Sequence, residues 1–129
     1  MNKKILLLDD DPMALYSFGA VLTDAGYDIR CIESIENLDF EVNNFEPELI
    51  ILDIRLRNAD GRKICNELKL AVSTRYIPII MLTALSHEDI SEIDCDADAI
   101  IGKSLETTNL LLTVENLLTN SLRLNLGPN

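Results

Sequence analysis

Short apolar runs alternate along the chain with longer segments in which apolar residues recur at helical spacing. The runs at 5–8, 49–52, 79–82 and 99–101 are apolar at every position and short for helices. Continuous runs of this length are typical of parallel strands that are buried on both faces. Residues 28–32 alternate between apolar and polar side chains, which indicates a further strand at the edge of the sheet.

The segments that follow the strands predict five helices. Pro12 suits the first turn of one helix, which Gly26 ends, and Ser34 can cap a second. Ser86, with Asp89 three residues later, is typical of the start of a short fourth helix. The residues predicted to face the sheet are Leu15, Phe18, Leu22 and Ala25; Ile35, Leu38, Val42 and Phe45; Ile64, Leu68, Ala71 and Val72; Ile90 and Ile93; and Leu110, Val114, Leu117 and Leu118. This alternation predicts an α/β fold with a doubly wound, five-stranded parallel sheet and helices on both faces.

Length and charge narrow the class of protein. A chain of 129 residues, 47% of them hydrophobic, suits one globular domain. The net charge of −11 argues against direct binding to nucleic acid or to an anionic membrane, because phosphate surfaces select basic proteins. No apolar stretch reaches the roughly 18 residues of a membrane span, and no signal peptide precedes the first strand. We therefore expect a soluble, cytoplasmic protein.

The cysteines and the single histidine argue against disulfide and zinc chemistry. Cys31, Cys65 and Cys95 are odd in number and have no paired spacing, so we expect reduced, mostly buried thiols. His87 is the only histidine, which leaves no basis for a histidine-rich metal site and suits a surface position at a helix start.

Carboxylates stand where two of the predicted strands end. Asp9, Asp10 and Asp11 follow the first run, and Asp53 follows the third strand. In an open α/β sheet the carboxyl ends of parallel strands border one crevice, where ligands bind. Two carboxylates roughly 5–6 Å apart repel by about 3 kcal/mol at an effective dielectric near 20. A hard cation such as Mg²⁺ or Mn²⁺ would offset that repulsion, while Asp11, beside Pro12, is better explained as a helix cap.

A hydroxyl and an ammonium group stand at the ends of the other two buried strands. Thr83 ends the fourth strand and Lys103 follows the fifth. A carboxylate is a usable nucleophile toward phosphorus when a dication and an ammonium neutralise the charge of the phosphoryl oxygens. Any one of these side chains would ordinarily be a cap or a surface group. Together, at successive strand ends, they indicate a site that handles phosphoryl groups.

In this order the residues resemble the receiver domain of bacterial two-component response regulators. The similarity covers nearly the whole chain and includes the acidic run after the first strand, Asp53 with Asp60-Gly61 downstream, Thr83-Ala84 and Lys103. It implies a flavodoxin-like sheet of strand order 2-1-3-4-5. Residues 1–120 would form the receiver domain, and residues 121–129 a tail or the start of a linker.

The resemblance also implies a role for each site residue. Asp10 and Asp53 would ligate Mg²⁺ or Mn²⁺ directly, Asp9 would act mainly through water, and the backbone carbonyl of Arg55 would supply another ligand.

The phosphoryl group would be accepted by Asp53 from a phosphohistidine on a sensor histidine kinase or a histidine phosphotransfer protein. Thr83 would donate a hydrogen bond to a phosphoryl oxygen. Lys103 would pair with Asp53 at rest and with the phosphoryl group afterwards. Such a domain is not an enzyme on other substrates, and it signals by binding a downstream effector protein.

Three positions depart from the pattern of the family. Arg57 stands where proline is usual, which makes the loop over the site less rigid and more cationic. Ser104 replaces the proline after the lysine, so we expect a trans bond between Lys103 and Ser104, because a non-proline cis bond costs roughly 2.5–4 kcal/mol. Ile100 replaces an aromatic residue whose rotation normally relays the signal.

Two further expectations concern signal lifetime and assembly. Arg55 and Leu85 would flank the phosphoryl group and slow its hydrolysis by hindering the approach of water. Between residues 107 and 119 the only charged side chain is Glu115, so the last helix lacks the basic residues of the dimer common among DNA-binding response regulators. We therefore expect a monomer or a weak dimer.

Three other functions remain to be weighed. A degenerate receiver that binds partners without phosphorylation would have lost an active-site group, and none is lost. A phosphatase of the haloacid-dehalogenase type would use Asp9 and Asp11, but Pro12 follows at the wrong place and Asp53 would have no role. A dinucleotide-binding domain needs a glycine-rich first turn, where this chain has three aspartates that would repel a pyrophosphate.

Overall fold

The structure, a computed structural model, describes residues 2–84, 95–103 and 107–126. Five strands form one parallel sheet: β1 (Lys4–Leu8), β2 (Asp28–Ile32), β3 (Leu49–Asp53), β4 (Ile79–Thr83) and β5 (Ala99–Gly102). Their spatial order is β2-β1-β3-β4-β5, which confirms the predicted order 2-1-3-4-5. The helices in the described residues are α1 (Pro12–Asp24), α2 (Leu38–Phe45), α3 (Gly61–Leu70) and α4 (Thr107–Leu126). A short antiparallel hairpin, Arg55–Leu56 with Ala59–Asp60, lies between β3 and α3.

The sheet separates two hydrophobic cores, because side chains of consecutive strand residues point to opposite faces. On one face α2 and α3 cover the sheet, with Leu38, Phe45, Ile64, Cys65 and Leu68 packed in one cluster with Leu6, Leu8, Ile50, Leu52, Ile79 and Met81. On the other face the cluster contains Leu15 and Leu22 of α1 and Leu110, Val114 and Leu118 of α4, packed with Ile5, Leu7, Leu49, Ile51, Ile80 and Leu82. Helices on both faces are therefore confirmed.

Side-chain caps mark the start of α1 and of the short turn that precedes α2. The Asp11 side chain accepts a hydrogen bond from the Met13 N–H at 3.0 Å, and Pro12 occupies the first turn, as predicted. Ser34 caps a 3-10 turn over 35–37 rather than α2 itself, which follows at Leu38. Gly26 has a φ of +99°, so the chain turns from α1 toward β2 in a conformation that favours glycine.

The structure corrects three predictions about side-chain burial. Ala25 does not face the sheet, because α1 ends at Asp24 and Ala25 is exposed. Ala71 and Val72 do not face the sheet, because α3 ends at Leu70 and both residues are exposed. Cys31 is exposed on the edge strand β2, whereas Cys65 is buried and Cys95 is half-buried; all three are free thiols.

The last helix is longer than predicted. It continues to Leu126, six residues past the boundary drawn at 120. No glycine or proline interrupts the sequence from Thr107 until Gly127 and Pro128, so nothing breaks the helix earlier. Among the described residues, no helix combines the length and the apolar character that crossing a membrane requires. The predictions for Leu85, Ser86, His87, Asp89, Ile90, Ile93 and Ser104 lie outside the described residues.

Candidate functional site

The strand register brings the polar strand ends together at one edge of the sheet. Leu8 of β1 pairs with Leu52 of β3, so the aspartates that follow these residues stand side by side. On the other side of β3, the Ile54 N–H donates to the Leu82 carbonyl at 3.1 Å. The Lys103 N–H donates to the Thr83 carbonyl at 2.6 Å, which fixes the ends of β4 and β5 against each other. Four neighbouring strands thus border a single crevice, as predicted.

Three carboxylates converge in this crevice. Asp9 is 1% exposed and Asp53 is 6% exposed, whereas Asp10 is half-buried at the rim. One oxygen from each of Asp9, Asp10 and Asp53 lies within 4.8 Å of the others. Asp11 is not part of this group, since its side chain caps α1. Buried carboxylates this close to one another repel electrostatically. A cation bound between them would relieve this repulsion.

The ammonium group of Lys103 lies between two of the carboxylates. Its Nζ is 2.8 Å from Asp9 Oδ2 and 3.4 Å from Asp53 Oδ2. The pairing with Asp53 was predicted, but the shorter contact is with Asp9, which was expected to act mainly on a metal through water. A second contact holds Asp9 in place, because the Asp11 N–H donates to Asp9 Oδ1 at 2.9 Å. Lys103 therefore neutralises part of the acidic cluster in the resting protein.

The electrostatic state of the site follows from burial and from these neighbours. Burial, and after it the negative charge of Asp9, raises the pKa of Asp53 from 3.8 to about 6. Lys103 and a hydrogen bond from the Arg55 N–H oppose this rise without cancelling it. Burial alone would lower the pKa of Lys103, but Asp9 and Asp53 raise it, so the ammonium form is retained. At neutral pH Asp53 is mostly ionised and more basic than an ordinary aspartate.

The donor set fits a hard divalent cation. Among the described residues, Asp9 Oδ2 accepts no hydrogen bond of suitable geometry, although it is buried and lies beside the Lys103 ammonium. Three carboxylates without histidine or cysteine are the oxygen-only ligands that Mg²⁺ and Mn²⁺ prefer. Asp10 is half-buried, whereas Asp9 and Asp53 are buried, so the group of three carboxylates faces solvent on the side of Asp10.

The chain returns to the site through the hairpin after Asp53. The Gly61 N–H donates to the Ile54 carbonyl at 2.7 Å, so α3 begins directly against the end of β3. A Cβ at Gly61 would overlap the backbone carbonyl oxygen of Asp53. Asp60 caps α3 and holds the Arg62 guanidinium with contacts of 3.0 and 2.7 Å.

Sequence reasoning had used Asp60-Gly61 only as part of the resemblance and had given Gly61 no structural role. A glycine at a strand-to-helix return was the available signal.

Thr83 and Ile100 lie where the sequence predicted, on β4 and β5. Thr83 is 1% exposed at the end of β4, next to the strand that carries Asp53. Ile100 is half-buried and packs against the core that α2 and α3 cover. The structure brings the side chains of Asp9, Asp10, Asp53 and Lys103 together. Arg55 and Thr83 are shown next to them through backbone hydrogen bonds, from the Arg55 N–H to Asp53 and from the Lys103 N–H to the Thr83 carbonyl.

Comparison with known proteins identifies the family. The family model described as the response regulator receiver domain matches residues 5–115. The chain is 34% identical over 118 residues to the DNA-binding dual master transcriptional regulator RpaA of Synechocystis sp. (strain ATCC 27184 / PCC 6803 / Kazusa). That match covers 89% of this chain and 48% of the relative, so the chain spans about half of that protein's length.

Solved structures agree with this assignment. The signal receiver domain of a signal transduction histidine kinase from Syntrophus aciditrophicus is 29% identical, with a TM-score of 0.83 and coverage of 92% of this chain and 91% of that one. A CheY-like response regulator receiver domain protein from Methanospirillum hungatei JF-1 shares the fold, with a TM-score of 0.81, 24% identity and coverage of 94% and 97%. The chain belongs to the response regulator receiver domain family.

Proposed function

We propose that Asp53 accepts a phosphoryl group from a phosphohistidine on a sensor histidine kinase or a histidine phosphotransfer protein. One observation carries the proposal. A carboxylate oxygen of Asp53 lies within 4.8 Å of those of two further aspartates, and the Lys103 Nζ lies 3.4 Å from Asp53 Oδ2. A nucleophile, an acidic group for a cation and a fixed positive charge are the parts that phosphoryl transfer requires.

In the proposed site, Asp10 and Asp53 would hold Mg²⁺ or Mn²⁺ directly, Asp9 would do so through water, and the Arg55 backbone carbonyl would complete the protein ligands. The half-buried position of Asp10 and the contact between Asp9 and Lys103 support this division of roles. When bound, the cation supplies positive charge against the phosphoryl oxygens.

The chain's own residues carry the transfer. An Asp53 carboxylate oxygen attacks phosphorus as the phosphorus–nitrogen bond of the donor breaks, and the leaving imidazole keeps the electron pair. The Lys103 ammonium beside this carboxylate favours its ionised, nucleophilic form. The Thr83 hydroxyl donates a hydrogen bond to a phosphoryl oxygen, and the Lys103 ammonium pairs with another. Most of the rate gain comes from positioning and charge stabilisation.

The product is an acyl phosphate, which water hydrolyses, so the mark is a timed signal and not turnover of another substrate. We propose that residues 1–120 act as a cytoplasmic receiver domain, as a monomer or weak dimer, and pass the signal to an effector protein. DNA binding is named for the relative RpaA. Because the net charge is −11, we propose that this chain itself does not contact nucleic acid.

Incubation with acetyl phosphate or phosphoramidate tests the function. Intact mass should show one phosphoryl adduct with Mg²⁺ and none in EDTA. A degenerate receiver, the second candidate, would remain unmodified in both. An adduct that forms equally well in EDTA would contradict the proposed role of the three carboxylates.

A further inference from the structure

A cluster of positive charge, formed by the hairpin and the first turn of α3, lies close to Asp53 in the sequence. The chain has twice as many acidic residues as basic ones, 22 against 11, yet four of the basic residues fall between positions 55 and 63. They are Arg55, Arg57, Arg62 and Lys63, and the same segment has a single acid, Asp60. A local excess of positive charge on a strongly acidic protein attracts an acidic partner to one place and repels it elsewhere.

The hairpin and the first turn of α3 present three of these charges to solvent. Arg55, Arg57 and Lys63 are exposed, and no described residue forms an ion pair with any of them. Arg62 differs, because two contacts with Asp60 commit it to the cap of α3.

The backbone that carries the charges is fixed. Arg55 pairs with Asp60 and Leu56 with Ala59 in the antiparallel ladder, and the Gly61 N–H ties its base to Ile54.

An apolar floor lies beside Arg55, on one side of the hairpin. A groove of about 460 Å³ is lined by Ile54, Leu56 and Ala59, with Arg55, Asp60 and Arg62 beside them. Ile54 is 3% exposed, whereas Leu56 and Ala59 are half-buried and accessible from the groove. A partner that offers one apolar side chain between carboxylates would match both the floor and the rim.

The surroundings limit the partner to a short segment. On its other side the hairpin borders a second groove of about 290 Å³, where Arg57 faces Asp10 and Glu33. Glu67 is exposed farther along α3. A long polyanion such as a nucleic acid would meet these carboxylates as soon as it left the hairpin, whereas a short acidic peptide segment would not.

We propose that the hairpin is a docking surface for a short acidic segment of a partner protein. Arg55 would hold the segment beside the floor formed by Leu56 and Ala59, and Arg57 would hold it across Leu56, which borders both grooves. The proposal goes beyond phosphorylation, because it assigns a partner chemistry to side chains that the transfer step does not use; Arg55 enters that step only through its backbone carbonyl. It also gives Arg57, which stands where the family usually has proline, a role in binding the acidic segment.

The test measures fluorescence anisotropy of a labelled peptide in which a single leucine is flanked by glutamates. Binding is followed at low salt, in EDTA and without a phosphodonor, so that a negative result would leave the phosphorylation of Asp53 untouched. The rim variant is Arg55→Ala/Arg57→Ala. The matched control, Lys3→Ala/Arg75→Ala, removes the same charge from the opposite edge of the sheet, where both residues precede strands.

The rim variant should bind the peptide at least about fivefold more weakly than wild type, and the control less than about twofold more weakly. Wild-type binding should also weaken as salt is added. Circular dichroism spectra and melting curves establish that both variants are folded. Charge reversal in Arg57→Glu should weaken binding at least as much as Arg57→Ala.

Three outcomes would overturn the proposal. Equal losses in the rim and control variants would show that net charge alone attracts the peptide. Wild-type protein that does not bind the peptide would show that the hairpin is not a docking surface. An oligonucleotide of equal charge that binds as tightly as the peptide would show that the surface does not select a protein segment.

Discussion

The raised pKa of Asp53 makes a quantitative prediction about stability without metal. The carboxyl has a pKa of about 6 in the folded protein and 3.8 without the fold's influence. Because the folded-state value is the higher one, the stability contributed by Asp53 is fully present below the lower pKa and is lost as pH rises through about 6. The difference of roughly two units corresponds to about 3 kcal/mol, an upper bound because ionisation of Asp53 depends on the charges of its neighbours Asp9 and Lys103.

Asp53→Asn keeps the size of the side chain and removes the charge. In EDTA at about pH 8, we expect the variant to be about 1–3 kcal/mol more stable than wild type, and this advantage should vanish by about pH 4. Urea denaturation followed by far-UV circular dichroism, at constant ionic strength across this pH range, measures the difference. Asp28→Asn, which removes the charge of an exposed carboxylate on β2, is the matched control.

A variant that is less stable than wild type at the higher pH would refute the reasoning. So would an advantage that persists unchanged at the lower pH, because it could not arise from ionisation of Asp53. The account also predicts the effect of metal: added Mg²⁺ should stabilise wild type and leave the stability of Asp53→Asn nearly unchanged.

Three further predictions concern the supports of the site. Gly61→Ala should cost about 1–3 kcal/mol in urea denaturation and lower the phosphoryl yield, since its Cβ overlaps the Asp53 carbonyl, whereas Gly19→Ala should cost less. Lys103→Gln removes the ammonium from two buried carboxylates, so we expect a loss of about 1–3 kcal/mol in EDTA that Mg²⁺ partly restores; a variant as stable as wild type would contradict this. Asp60→Ala removes the cap of α3 and should lower the free energy of unfolding by about 1 kcal/mol. An unchanged melting temperature would contradict this prediction.

The fold was predictable because its sequence signals are local and consistent. Continuous apolar runs predicted the buried strands, and alternation at 28–32 predicted the edge strand that the structure has as β2. Where the signals were weaker, the prediction was wrong. Val72 continues the apolar spacing of α3, but the backbone leaves the helix conformation at Ala71, whose ψ is 135°.

The composition of the site was also predictable, but its internal contacts were not. The positions of Asp9, Asp53, Thr83 and Lys103 at strand ends required them to meet, because parallel strands share one carboxyl edge. Which carboxylate Lys103 approaches more closely depends on side-chain geometry that no sequence pattern encodes, and the structure has Asp9 at 2.8 Å. The steric role of Gly61 likewise depends on how closely α3 returns to β3.

The central claim is that Asp53 is the residue that accepts the phosphoryl group. The most direct measurement is the intact mass of wild type, Asp53→Asn and Asp11→Asn after incubation with acetyl phosphate and Mg²⁺. Asp11 is a matched control, because it is a neighbouring aspartate that caps α1 and stands outside the carboxylate cluster. The account predicts one phosphoryl adduct on wild type and on Asp11→Asn, and none on Asp53→Asn. An adduct on Asp53→Asn at the wild-type yield would contradict it.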